Sequence, residues 1–86
     1  MESRVAIIGI IVEAERSVEK LNAILHDYGR YIIGHMGISY RTRKVNIIGV
    51  AIDAPQDVIS ALFGKLGRLP GISAKAVCSN VITKDE

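Results

Sequence analysis

His26, His35 and Cys78 are the only two imidazoles and the only thiol in the chain. A transition-metal site would have to be built around them, and they would have to converge in space to form it. Nucleophilic catalysis would instead need Cys78 or a serine beside one of the histidines, with a carboxylate to orient the ring. Glu13 and Glu15 are close in the sequence, but no apolar shell encloses them as general acid work requires, and a solvated loop is the simpler reading. The segment Gly64-Lys65-Leu66-Gly67-Arg68 ends a helical pattern, whereas phosphate cradles open one. Arg41, Arg43 and Lys44 form the densest basic group, and a solvated hairpin tip accounts for them.

Such groups act only where a fold brings them together, and the composition bounds that fold. A chain of 86 residues is expected to make one domain over residues 1–86, with an ordered core of about residues 4–80. It buries only about three-fifths of the surface its unfolded form exposes, so association would add buried area. Hydrophobic residues make up 49% of the chain, yet it has no Trp and one Phe, so the core must be built from Ile, Val, Leu and Ala. A net charge of +2 is too small for a dedicated nucleic-acid binder, and direct DNA binding is not expected. A lone cysteine excludes an intrachain disulfide and a zinc ribbon, and a reducing compartment fits. The longest apolar run, Val5 to Val12, is far too short to span a bilayer, and Met1-Glu2-Ser3 lacks the basic start of a signal peptide. A cytoplasmic protein is expected, with no membrane association and no cofactor.

Periodicity supplies the elements. Arg4 to Val12 is β-branched and apolar, the pattern of a buried strand. Val18, Leu21, Ile24, Leu25 and Tyr28 recur at helical spacing, with Ser17 suited to the N-cap and Gly29 to the C′ position. Tyr31 to Tyr40 and Val45 to Asp53 read as a hairpin joined by Arg41-Thr42-Arg43-Lys44. Asp53 with Gln56 resembles a capping box, Pro55 falls in the first turn, and Val58, Ile59, Leu62, Phe63 and Leu66 form the stripe of a second helix that stops at Gly67. Leu69-Pro70-Gly71 turns into a last strand from Ile72 to about Asn80, followed by a frayed tail from Thr83 to Glu86. The order βαββαβ predicts an α+β, ferredoxin-like fold. Right-handed crossovers would put strands one and three at the centre of a four-stranded antiparallel sheet, with both helices on one face.

Side chains alternate across a strand, so each strand divides into two faces. The even positions, among them Ala6, Ile8, Ile10, Met36, Ile38, Tyr40, Val50, Ile52 and Cys78, are the bulkier set and are assigned to the face under the helices. That assignment shields the Cys78 thiol and makes it a small core residue. The odd positions include Ile7, Gly9, Ile11, Ile33, His35, Gly37, Ile47 and Gly49. They leave an open face too apolar for a monomer. Gly9, Gly37 and Gly49 permit close approach there, by a partner subunit in the favoured reading and by a small molecule in the alternative. A β-bulge would shift the parity locally, and Gly34 and Gly37 mark strand two as the place for one.

The strings YGRYIIGHMGISY, from Tyr28 to Tyr40, and IIGVAIDAPQDVISALFGKLGRLPG, from Ile47 to Gly71, resemble the small iron-only hydrogenase system regulator family. The resemblance covers nearly the whole chain. More loosely, the chain resembles ACT domains and the ligand-binding domain of the nickel-responsive transcriptional regulator, which share the ferredoxin-like arrangement. The resemblance implies a bacterial, ACT-like regulatory protein of the hydrogenase and its maturation system, but it carries over no binding residue. The loop from Glu13 to Arg16 lacks the glycine with which many ACT domains admit an amino acid, and strand two offers one histidine where the nickel regulator has a richer ligand set.

The expectation is therefore a non-enzymatic regulatory module. It would assemble as a dimer or tetramer through the open sheet face and act through a protein partner or small ligand. The alternative is a small-molecule or metal sensor with its site at the subunit interface. His35, Gly9, Gly37, Gly49, Ile7 and Ile47 are the candidate ligand or interface residues. No metal ligand is assigned beyond the option of two His35 rings meeting across a symmetric contact.

Overall fold

In a computed structural model describing residues 2–84, the strands are β1 (Glu2–Val12), β2 (Ile32–Tyr40), β3 (Val45–Ala54), β4 (Ile72–Cys78) and β5 (Thr83–Lys84). The helices are α1 (Val18–Asp27) and α2 (Gln56–Gly67). The sheet runs β2-β3-β1-β4 with antiparallel neighbours throughout, so β1 and β3 are central as the crossover rule predicts. Ile8 pairs with Val50 on one side and with Ala76 on the other, which sets the register of the three strands.

The core lies between the even positions of β1 and β3 and the apolar stripes of the helices. Ile8, Ile10, Ile52, Leu21, Ile59, Leu62 and Leu66 are fully buried there. Each aliphatic side chain removed from water stabilises the fold by about 1.5–3 kcal/mol. Truncating one that lies at the centre, such as Leu62→Ala, would cost about 2–5 kcal/mol because the cavity closes only in part.

Several local features depart from the sequence expectations. Ser17 precedes α1 but does not cap it; its hydroxyl donates to the Pro70 carbonyl at 2.6 Å. Helical backbone dihedrals at Ser17, set by a 3₁₀ turn over Glu15–Ser17, aim the side chain away from the first free N–H groups of α1. The Asp53–Gln56 capping box does not form, because β3 continues through Asp53 to Ala54 and Pro55 takes the N-cap position. Gln56 instead donates to the Ser60 hydroxyl at 3.1 Å. Gly29 does sit at C′ but leads into a 3₁₀ turn over Gly29–Tyr31, so β2 starts at Ile32. Thr83 and Lys84 of the expected frayed tail pair with Ser3 and Glu2, while Asp85 and Glu86 lie outside the described residues. The hairpin between β2 and β3 closes with Lys44 N–H donating to the Arg41 carbonyl at 3.2 Å and with Lys44 at φ 56°.

A long-range clamp joins the loop between β1 and α1 to the turn between α2 and β4. The Glu13 N–H donates to the Gly71 carbonyl at 2.7 Å, beside the Ser17–Pro70 bond. Gly71 adopts φ +70°, and a Cβ there would collide with Ala14, lying 2.9 Å from its backbone nitrogen. Only glycine fits both the dihedral and the space.

Candidate functional site

The face without helices is built by the pleat of three strands. Val5, Ile7, Gly9 and Ile11 of β1 stand on it opposite Asp53, Ala51, Gly49 and Ile47 of β3. Gly9 and Gly49 thus face each other at its centre, with Lys75 of β4 on the other side of Gly9. Ile7 is 56% exposed and Val77, farther along β4, is 73% exposed. No described atom lies within 4 Å of where a Gly9 side chain would begin, so the centre of the face is open to whatever approaches it.

The contribution of β2 is corrected by a bulge. Ile32 pairs with Ile52, but the next paired residue is Gly34, opposite Ala51, so Ile33 is an extra residue. Beyond it every side chain of β2 changes sides. His35 and Gly37, expected on the open face, pair with Val50 and Ile48 and lie on the helix side. Met36, Ile38 and Tyr40, expected under the helices, pair with Gly49, Ile47 and Val45 and extend the open face. The candidate set therefore separates by face: Ile7, Gly9, Ile47 and Gly49 share the open face, while His35 and Gly37 fall on the helix side.

On the open face Met36 reaches over the glycine pair, its Cε 3.5 Å from the place of a Gly49 Cβ. Beside it is a shallow depression of about 240 Å³ bordered by Ile7, Gly34, Met36, Gly49 and Ala51, with His35 and Val50 also at its lining. The result is one apolar surface over Val5, Ile7, Ile11, Met36, Ile38, Ile47 and Tyr40, each of them more than a third exposed.

A second concavity of about 860 Å³ lies on the helix side, between α1 and the hairpin of β2 and β3. Glu15 and Glu19 line one wall and Arg41 and Lys44 the other. Ser39 donates its hydroxyl to Asn46 Oδ1 at 2.9 Å between them. Charges of opposite sign across an open groove can orient a small polar molecule. Sequence reasoning missed this groove because it follows from the hairpin running past the end of the helix layer, which no single residue signals.

The metal ligands do not converge. His26 is exposed on α1, while β2 with His35 and β4 with Cys78 are opposite edges of the sheet. Among the described residues no three His, Cys, Asp or Glu side chains are grouped to hold a metal ion. Cys78 keeps its expected parity, opposite Ala6 on the helix side, but is half-buried rather than fully shielded because β4 is an edge. No helix among the described residues is long and apolar enough to cross a membrane.

A family model described as "TM1266-like: Iron-only hydrogenase system regulator, putative" matches residues 4–76. The chain belongs to this family. The match begins in β1 and ends in β4, so it takes in both central strands and both helices. The structure of the uncharacterized protein TM1266 from Thermotoga maritima superposes with a TM-score of 0.85 at 31% identity, covering 88% of this chain and 96% of that one. A formyltetrahydrofolate deformylase from Pseudomonas putida KT2440 aligns at a TM-score of 0.65 and 14% identity, covering 90% of this chain and 29% of that one. That second likeness concerns the fold alone. Among curated proteins none matches.

Proposed function

We propose that this family member is a non-catalytic regulatory module of the iron-only hydrogenase system, folded as one unit in the cytoplasm, that assembles with copies of itself through its open sheet face. The observation carrying the proposal is the continuous apolar surface around the Gly9–Gly49 pair, on a face that no helix covers. Monomeric soluble proteins rarely leave contiguous apolar patches larger than a few hundred Å² in water. Both helices are spent on the opposite face, which favours action through a partner or ligand over direct reading of DNA. Sedimentation of wild type and Ile47→Lys tests the assembly. The wild type is expected to be a dimer or larger, and a lysine desolvated at the contact is expected to dissociate it. A compact monomer of wild type at micromolar concentration would reject the reading.

The helix-side groove supports a second reading, the sensing of a small polar ligand between Glu15 and Glu19 on one wall and Arg41 and Lys44 on the other. Native mass spectrometry of protein purified from its own host tests it, because subunit number and retained ligand are reported together.

A further inference from the structure

The groove between α1 and the hairpin of β2 and β3 holds more than opposed charges. Glu15, in the 3₁₀ turn, and Glu19, in the first turn of α1, line one wall. Arg41 and Lys44, joined by the hydrogen bond that closes the hairpin, line the other. Among the described residues no ion pair bridges the walls, and about 860 Å³ of open space lies between them. On the floor the Ser39 hydroxyl donates to Asn46 Oδ1 at 2.9 Å. That bond leaves the Ser39 oxygen as an acceptor and the Asn46 amide nitrogen as a donor of two hydrogens. An acceptor and a donor side by side are complementary to the N–H and C=O of a peptide unit. Val18 and Ile48, half-buried at the same groove, and Gly37, with no described atom within 4 Å of its Cβ position, leave apolar room for small side chains.

We propose that this groove binds a short peptide with both ends free, about three residues long. Its ammonium lies on the Glu15 and Glu19 wall, its carboxylate on the Arg41 and Lys44 wall, and one of its peptide units on Ser39 and Asn46. The proposal rests on the reading of the groove as a ligand site and names the class of ligand. The walls select for length. A free amino acid carries its two charges on one carbon, about 3 Å apart, so it satisfies one wall or the other and offers the floor no peptide unit. An extended chain of three residues spans up to about 10 Å and brings a charged end to each wall. There the ammonium donates to Glu15 and Glu19, and the carboxylate accepts from Arg41 and Lys44, in charge-assisted hydrogen bonds. An internal segment of a protein has no free end for either wall, so the groove reads the ends of a peptide rather than its sequence.

Calorimetric titration of the full chain with trialanine, N-acetyl-trialanine, trialanine amide and alanine provides the test. Trialanine is expected to bind with a Kd below about 1 mM, and each blocked peptide and alanine at least about tenfold more weakly. When Glu15→Gln and Glu19→Gln are combined, the penalty for N-acetylation is expected to vanish while that for amidation persists. Arg41→Gln with Lys44→Gln is expected to do the reverse, whereas a merely structural role for these side chains would weaken all the probes alike. Asn46→Asp puts an acceptor where the peptide carbonyl approaches, and is expected to weaken trialanine at least about tenfold with the circular dichroism spectrum unchanged. No binding of trialanine, alanine bound as tightly as trialanine, end penalties that survive in the wall variants, or undiminished binding by Asn46→Asp would each overturn the proposal. Native mass spectrometry of protein purified from its own host separates the two levels. A retained molecule other than a peptide, lost in both wall variants, would overturn the peptide class and keep the groove as a ligand site. Absence of any such molecule together with absence of trialanine binding would overturn both.

Discussion

His35 stands opposite Val50 across the ladder of β2 and β3, yet Val50 is buried and His35 is exposed. The helices that cover the one do not extend over the other. His35→Asn is therefore expected to change stability by less than about 0.5 kcal/mol and to leave both the open-face assembly and the metal content of the purified protein unchanged. Urea unfolding, sedimentation and elemental analysis check this together. A loss of bound metal with the oligomer intact would make the ring a ligand.

Gly71 is the position where backbone conformation leaves least freedom. At φ +70° with the Ala14 backbone nitrogen 2.9 Å from a Cβ position, Gly71→Ala is expected to destabilise by about 2 kcal/mol or more. Ala14→Gly removes part of the collision, so the double variant should recover some of the loss; simple additivity of the two urea midpoints would mean the residues do not touch.

Ser17 separates two roles that a sequence treats alike. As a donor to the Pro70 carbonyl it should cost about 1 kcal/mol when replaced by alanine. Asp, a good N-cap residue, cannot donate as a carboxylate and would face the carbonyl oxygen. Ser17→Asp is thus expected to be less stable than Ser17→Ala by thermal unfolding, and the reverse order would restore the capping role.

Gly9 offers a way to alter assembly without altering the fold. Its Cβ position is open, so Gly9→Phe is expected to retain the circular dichroism spectrum of the wild type while weakening self-association, because the ring occupies the place of the approaching surface. Unchanged association at micromolar concentration would move the contact away from the glycine pair.

The architecture was legible because two periods, 2 and 3.6, repeat cleanly in the strands and helices. The even residues of β1 and β3, such as Ile8 and Ile52, fall under the helices by parity alone. Strand β2 was not legible to the same degree. One unpaired residue, Ile33, reverses the faces of His35 through Tyr40, and although Gly34 hints at irregularity, nothing local says which residue is extra. The caps failed for a different reason. Ser17 and Asp53 have the right types for helix starts, but a long-range hydrogen bond and an extended strand took them. The groove beside α1 depends on how far the hairpin outruns the helices, a length relation between separate elements.

The pairing of Glu2 and Ser3 with Lys84 and Thr83 brings the first and last described strands side by side. A polypeptide that enters this fold at β1 therefore leaves it at nearly the same point. Such a unit can be spliced into a surface loop of a host protein without forcing the host's two flanking residues apart, and its own sequence can be reopened elsewhere. Joining residues 2 and 84 through a short linker and opening the chain between Thr42 and Arg43 would keep every strand neighbour in place.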